Sequence, residues 1–264
     1  MGSVTRHPLA DWDDLAGYVP PDPDRTTHWY PVEWEKGKGP RGGSIGFFHC
    51  LRSGEIGHGH TFLKLIDILG YEKTLFALSD DDPRMHTLLN MLEEFNHGLV
   101  RRFIDYADVE WLGYAEDLGM QHGPLLSPGL FRKYIMPSYH RIMAPAEEHG
   151  AVIHMHSDGD IKALADDLLA LPIRVLNLQD RVNGLGWIAA TLKGRVAIDL
   201  DIDRQHVTPS GTPAEVREYV GDILRQLADP AGGLILTFGL YPGTPLENVR
   251  ALMDTLEEVA QGRM

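Results

Sequence analysis

Thiols are almost missing from this chain: Cys50 is the one cysteine in 264 residues. That excludes an internal disulfide and any site built from several thiolates, and a lone thiol fits a reducing compartment, so a cytoplasmic location is expected. Long apolar runs are absent as well. No stretch reaches the roughly 18 to 20 apolar residues of a membrane span, and Met1 to Asp14 holds no apolar leader-like core. Positive charge is scarce, with 24 Lys and Arg against 38 Asp and Glu and a net charge of −14. Nucleic acids and anionic membranes demand basic surface, so neither is an expected partner. Several motifs are lacking too: no G-x-G-x-x-G after a strand, no G-x-x-x-x-G-K-[ST], no H-E-x-x-H and no G-x-S-x-G. Nucleotide binding and hydrolase triads therefore lose ground.

What remains is an ordinary globular composition, 43% hydrophobic and 23% charged, long enough to bury a core without staples. Residues 1–43 are rich in Pro, Gly, Asp and Trp and read as an irregular arm with one short helix near Trp12–Tyr18. Residues 44–264 then alternate strand and helix. Expected strands are Ser44–Leu51, Val109–Ala115, Ala151–His156, Arg174–Leu178, Arg195–Ile202 and Gly233–Phe238. Between the first two lie a loop, Arg52–His60, a helix through Leu69, and a second helix opened by Asp82-Pro83. Ser127-Pro128 opens a helix towards His149, which Pro137 and Pro145 are expected to kink or break. Thr212-Pro-Ala-Glu and Thr244-Pro-Leu-Glu both spell a capping box with proline at the first helical position. Such alternation indicates an α/β fold with a parallel sheet, a TIM-type (β/α) barrel with six clear units, fewer than the usual eight.

The chemistry concentrates at strand C-termini. In Ala151–Asp160, Val152, His154 and His156 share one face, while Ala151, Ile153 and Met155 share the other. The imidazole face runs out into Asp158, and a helical pattern follows. In the strand near 195–202, Asp199 and Asp201 alternate with Ile198 and Leu200 in the same way. The strand ends together offer Glu116, Asp117, His154, His156, Asp158, Asn177, Gln179, Asp199 and Asp201. Carboxylates and imidazoles around one mouth can act as acid, base or metal ligands. Each also has a plainer reading. His154 lies one layer below the mouth, where a hydrogen-bonded core histidine is a more ordinary reading than a ligand. Asp201 and Asp203 can cap the next segment, and His58 and His60 suit a glycine-rich turn as well as a metal. Glu93-Glu94 and Arg101-Arg102 read as the solvated face of a long helix.

From Ser44 onward the chain resembles the uroporphyrinogen decarboxylase superfamily, which includes cobalamin-linked methyltransferases. The resemblance rests on Glu116-Asp117-Leu118-Gly119, Ser127-Pro-Gly-Leu-Phe-Arg132 and His156-Ser-Asp-Gly159. It extends through Asp203-Arg204-Gln205, Gly211–Arg217 and Gly239–Val249, in family order. It implies a TIM-type barrel, with Tyr241 as a further substrate contact. Decarboxylases of the family carry an arginine-rich segment and an aspartate on their first two strands; nothing here corresponds, and the chain enters the pattern near the third strand. The zinc-dependent methyltransferases use His-x-Cys on the central strand and a second Cys near the last. His156 matches the first ligand, Asp158 replaces the first Cys, and Leu240 stands at the second. A harder metal on His156 and Asp158 is the expectation that survives.

The expected function is a methyl (one-carbon) transferase-like enzyme acting on a small molecule. His156 is ligand or general acid/base, Asp158 its partner, and Asp117 a catalytic positioning group; Glu116, His154, Asn177, Gln179, Asp199, Asp201 and Tyr241 contact substrate. By resemblance alone, the methyl carrier is a corrinoid or folate and a corrinoid protein is a partner. The alternatives are a decarboxylase (lyase) of a carboxylated or tetrapyrrole-like substrate, and a non-catalytic binding protein or subunit. Strand edges left open by an incomplete barrel need covering, which favours a homodimer.

Overall fold

Alternation decides the central strand. In Val152–Ser157, Ile153, Met155 and Ser157 are buried while Val152, His154 and His156 are half-buried, so one face packs and the other is reachable. Everything described below comes from a computed structural model that describes residues 4–28, 31–37, 39–41, 46–48 and 51–263. The chain forms two compact units, residues 1–174 and 175–264.

The first unit opens with a 3-10 turn, Trp12–Gly17, and a small antiparallel pair, β1 (Glu33–Glu35) and β2 (Gly39–Arg41). The arm is tied down: Leu9 N–H donates to Ile68 O at 2.9 Å, and Lys73 Nζ donates to the Leu9 and Ala10 carbonyls. Next come β3 (Gly46–Phe48) and β4 (Leu51–Glu55), then α1 (Phe62–Leu69), α2 (Tyr71–Ser79) and α3 (Pro83–Ala107). β5 (Trp111–Ala115) leads to a minimal hairpin, β6 (Gly119–Met120) and β7 (Gly123–Pro124). A helical stretch follows as α4 (Pro128–Leu130), a π turn (Phe131–Ile135) and α5 (Met136–His149). β8 (Val152–Ser157), a 3-10 turn (Lys162–Leu164) and α6 (Ala165–Leu169) close the unit. Strands β4, β5 and β8 are parallel; β3 runs antiparallel to β4.

The second unit contains β9 (Val175–Gln179), α7 (Asp180–Asn183), α8 (Leu185–Thr191) and β10 (Ala197–Asp201). After it come α9 (Val207–Ser210), α10 (Pro213–Leu227), β11 (Leu234–Thr237) and α11 (Leu246–Ala260). β9, β10 and β11 are again parallel. The described residues thus hold three parallel strands in each unit, matching the six strand-helix units expected.

Several expectations are corrected. The first strand does not end at Leu51: the polar Leu51–Glu55 segment is itself a strand, paired with β3 and β5, while residues 44, 45, 49 and 50 lie outside those described. Pairing on both sides overrides a weak strand propensity. Gly54 is required there, because a Cβ would stand 2.6 Å from the Phe103 ring. Helix α2 was not expected. Pro145 does not break α5, whose apolar face buries Tyr139, Ile142, Met143 and Ala146. Just before Pro137 the helix adjusts by one π turn, in which Met136 N–H reaches Phe131 O. Glu93 is not solvated: it is buried and pairs with Arg141 and Ser138. The Thr212 capping box forms as expected. That of Thr244 does not, because its hydroxyl donates to Tyr241 O at 3.0 Å and Pro245 takes the cap position.

Candidate active site on the first three parallel strands

Three neighbouring strand ends bring three side chains together. His58 follows β4, Asp117 follows β5, and His156 is the penultimate residue of β8, where Ala115 pairs with His156. His58 Nε2 lies 3.2 Å from Asp117 Oδ1 and His156 Nε2 lies 3.5 Å from the same oxygen. A carboxylate only accepts, so a ring nitrogen that hydrogen-bonds to it carries the proton. Asp158 adds a second carboxylate, 3.8 Å from His156 Nε2, and its backbone N–H donates to Asp117 Oδ1 at 3.2 Å. Side-chain exposures of 24% for His58, 30% for Asp117 and 22% for His156 leave the cluster open to a small ligand.

Backbone geometry makes this arrangement rigid. The turns after β5 and β8 interlock: a Cβ on Gly159, which has φ +82°, would stand 2.2 Å from Gly119 C, and one on Gly119 would stand 2.5 Å from Asp160 N. No side chain fits at either position. The two turns are laced by Leu118 N–H to Ser157 Oγ at 2.9 Å and Asp160 N–H to Met120 O at 2.7 Å. Gly59 N–H donates to Ala115 O at 2.8 Å and fixes the loop carrying His58.

Electrostatics follow from the contacts. Burial alone would raise the Asp117 pKa, but hydrogen bonds from His156 and His58 outweigh it and hold the carboxyl well below the usual range. The hydrogen bond to Asp117 raises the His58 pKa against the opposing effect of burial. The cluster therefore stabilises an anionic carboxylate flanked by two imidazoles, of which His58 holds its proton more readily than a free imidazole.

Glu116, one residue before Asp117, has a different job. It is fully buried and its Oε1 accepts from Thr61 N–H and Leu63 N–H, both at 2.9 Å, while Tyr139 donates to Oε2. It caps α1 from a distance, since the Thr61 hydroxyl is engaged with His60 Nδ1 at 2.7 Å. Burial removes Glu116 from direct substrate contact. His154 packs its ring on Trp111, 5.1 Å between centroids.

Asn177, Gln179, Asp199, Asp201 and Tyr241 belong to the second unit. Asn177 Nδ2 donates to Asp199 O at 2.9 Å, and Thr237 Oγ1 donates to Asp199 Oδ1 at 2.5 Å. Gln179 precedes α7, and its carbonyl accepts from Asn183 Nδ2. Asp201 is paired with Arg204 at 2.8 Å, and the Arg204 guanidinium sits 5.5 Å from the Tyr241 ring. Asp203 takes the capping role, accepting from the Gln205, His206 and Val207 amides. The residue that reading the sequence left undecided is His58. Its signal was position, a histidine just past a strand that looked like a loop. An apolar groove of about 550 Å³, lined among others by Leu75, Phe76, Leu125 and Leu130, carries no titratable side chain and is set apart from this chemistry.

Comparison with known proteins identifies the family. The family model for uroporphyrinogen decarboxylase (URO-D) matches residues 64–259. The chain belongs to that family. Asp117 and His156 fall inside the match; His58 lies just ahead of it. Uroporphyrinogen decarboxylases from two strains of Thermus thermophilus are each 29% identical over 137 residues, 51% of this chain. The chain matches only 38% of the length of those relatives. A solved methyltransferase from Methanosarcina mazei superposes with a TM-score of 0.58 at 16% identity, covering 74% of this chain and 55% of that one. At that identity the likeness concerns fold: this family member is an incomplete TIM-type α/β protein. No helix among its described residues is long and apolar enough to cross a membrane. A thiolate zinc centre does not fit it. A centre with two thiolate ligands needs two cysteines, and the sequence holds one, Cys50, which lies outside the described residues.

Proposed function

We propose that this family member is a methyl (one-carbon) transferase-like enzyme acting on a small molecule at the His58–Asp117–His156 cluster. The observation that carries the reading is one carboxylate oxygen shared by two accessible imidazoles at adjacent strand ends, where α/β barrels place their chemistry. Methyl transfer needs an acceptor heteroatom that has lost its proton and is held in line with the methyl carbon. Here the acceptor's heteroatom–hydrogen bond breaks and its proton passes to the imidazole–carboxylate cluster. The freed electron pair forms the new bond to carbon, and the donor keeps the pair of the bond that breaks. Asp117 orients both rings, His156 faces the acceptor, and Asp158 is positioned beside His156. A corrinoid or folate methyl carrier and a corrinoid protein partner, suggested by the family resemblance, and a homodimer, suggested by strand edges that need covering, belong to the same proposal.

Decarboxylation is the competing reading, favoured by the Thermus relatives. One experiment separates them. The full chain is mixed with methylcobalamin or methyltetrahydrofolate and a small thiol, and methyl loss is followed by absorbance; carbon dioxide release from uroporphyrinogen is measured in parallel. Methyl transfer that falls at least about 100-fold in His156→Ala and Asp117→Asn is expected. Carbon dioxide release without methyl transfer would replace the reading with the decarboxylase, and binding without either turnover with a non-catalytic role.

A further inference from the structure

The geometry points to a divalent-cation site formed by His58, Asp117 and His156, with Asp158 outside the ligand shell. One ligand atom from each of the three residues lies within 4.8 Å of the others. First-row ions hold nitrogen and oxygen donors at about 2.0 to 2.2 Å, so donors sharing one ion stand about 3 to 4 Å apart. The contacts of 3.2 Å and 3.5 Å from the two Nε2 atoms to Asp117 Oδ1 already have that spacing. Small movements of two partly exposed rings bring the set to shell geometry.

The donor set matters as much as the spacing. Two imidazoles and one carboxylate, without a thiolate, suit zinc, iron(II), cobalt or manganese, and leave coordination positions open for a ligand. Supporting contacts are in place as well. Asp117 is fixed by the Asp158 amide, the kind of outer contact that orients a ligating carboxylate. The interlocked Gly119 and Gly159 hold the β5 and β8 ends together. His60, two residues beyond His58, does not join: it is fully buried against Tyr139 and Thr61. The Asp158 carboxylate stands 3.8 Å from His156 Nε2 and is not one of the three grouped donors, which makes it the neighbour of a ligand. A bound cation would favour the deprotonated form of an acceptor held beside it. The inference deepens the reading above, resting on the same cluster, but metal binding is measured without any methyl donor or acceptor.

The test is a cobalt(II) titration of the chelator-treated full chain, followed by visible absorption and calorimetry, with zinc(II) as competitor. The expected result is one cobalt per chain, displaced by zinc, with affinity lowered at least about 100-fold in His58→Ala, Asp117→Ala and His156→Ala. Asp158→Asn should stay within about tenfold of the parent. Thermal melts without metal show which variants fold, and His58→Gln replaces any His58→Ala protein that does not. Absence of a stoichiometric cobalt spectrum up to about 1 mM metal overturns the inference. So does a spectrum that survives loss of His58, or one lost in Asp158→Asn as fully as in His58→Ala. A failed methyl-transfer assay leaves a positive titration standing, and the reverse also holds.

Discussion

The strand ends of the two units carry the same kinds of residue and use them in opposite ways. In the first unit, one Asp117 oxygen meets two imidazoles and a backbone amide, and the imidazoles remain partly exposed. In the second, the carboxylates are closed in. Asp203 satisfies three backbone amides and meets Arg181, while Asp180 accepts from the Asp203 and Arg181 amides and from the Tyr219 hydroxyl. A strand-end aspartate becomes a site only when its partners can still be exchanged for a ligand; when they are the protein's own amides, it becomes a brace. Exposure follows the same division, 30% for the Asp117 side chain against 3% for Asp203.

The sharpest way to break this comparison is to neutralise one acid from each group. Asp117→Asn should lower turnover by about 100-fold or more while unfolding stability moves by less than about 1 kcal/mol, since an amide oxygen can still accept from the Asp158 N–H. Asp203→Ala should do the reverse. Three amides of the 205–207 turn lose their acceptor, which costs about 2 to 4 kcal/mol, and activity per folded molecule should change little. Urea unfolding and single-turnover kinetics on both variants decide it. A large stability loss in Asp117→Asn, or full stability in Asp203→Ala, would show that the division between site and brace is misdrawn.

How far the sequence revealed this division is instructive. Five of the six parallel strands were legible as apolar or alternating runs between turn signals, and β8 shows the alternation most plainly. Asp117 and His156 were legible as strand-end groups for the same reason. His58 was not, because its partner is 59 residues away and the strand that aims it, β4, is polar and contains Gly54. Only pairing with β3 and β5 makes that segment a strand, and only Phe103 explains its glycine. Glu116 misled for a related cause: beside Asp117 in sequence, it points into the core, where it caps a helix that begins 54 residues earlier.

Acid should also separate the two regions, with a smaller effect. His28 in the first unit donates Nε2–H to Asn96 Oδ1 at 2.6 Å, and burial pushes its pKa down to about 3 from an ordinary 6.5. The unfolded chain takes up a proton below pH 6.5 and the folded chain does not until about 3, so this stability is present above 6.5 and lost as pH falls. Asp203 goes the other way in range: burial raises its pKa, but backbone hydrogen bonds from Val207 and Gln205 prevail and hold it below 3.8. Its contribution persists until the carboxylate range is reached. Between pH 6.5 and 5 the first unit should therefore weaken by about 1 to 2 kcal/mol while the 205–207 turn holds. Hydrogen exchange of α3 against α9 and α10, corrected for intrinsic rates, measures the difference. His28→Gln should flatten the α3 response, and an unchanged slope would assign acid sensitivity elsewhere.

The smallest effect tests the same principle on two residues that look identical in sequence. Thr212-Pro-Ala-Glu and Thr244-Pro-Leu-Glu both spell a capped helix start, yet only the first forms one. Thr212 Oγ1 accepts from Glu215 N–H at 3.3 Å, and Glu215 Oε2 accepts from Thr212 N–H at 2.7 Å. Thr244 instead donates its hydroxyl to Tyr241 O, on an exposed turn, so α11 starts without a side-chain cap. Thr212→Ala leaves the Glu215 amide without its acceptor and should cost about 1 kcal/mol. Thr244→Ala removes only a solvent-exposed turn contact and should stay within about 0.5 kcal/mol of the parent. Paired urea melts resolve a gap of that size. Equal costs would mean that α11 draws on Thr244 in solution after all; a clear gap would show that the available partner, more than the residue type, decides what each of these side chains does.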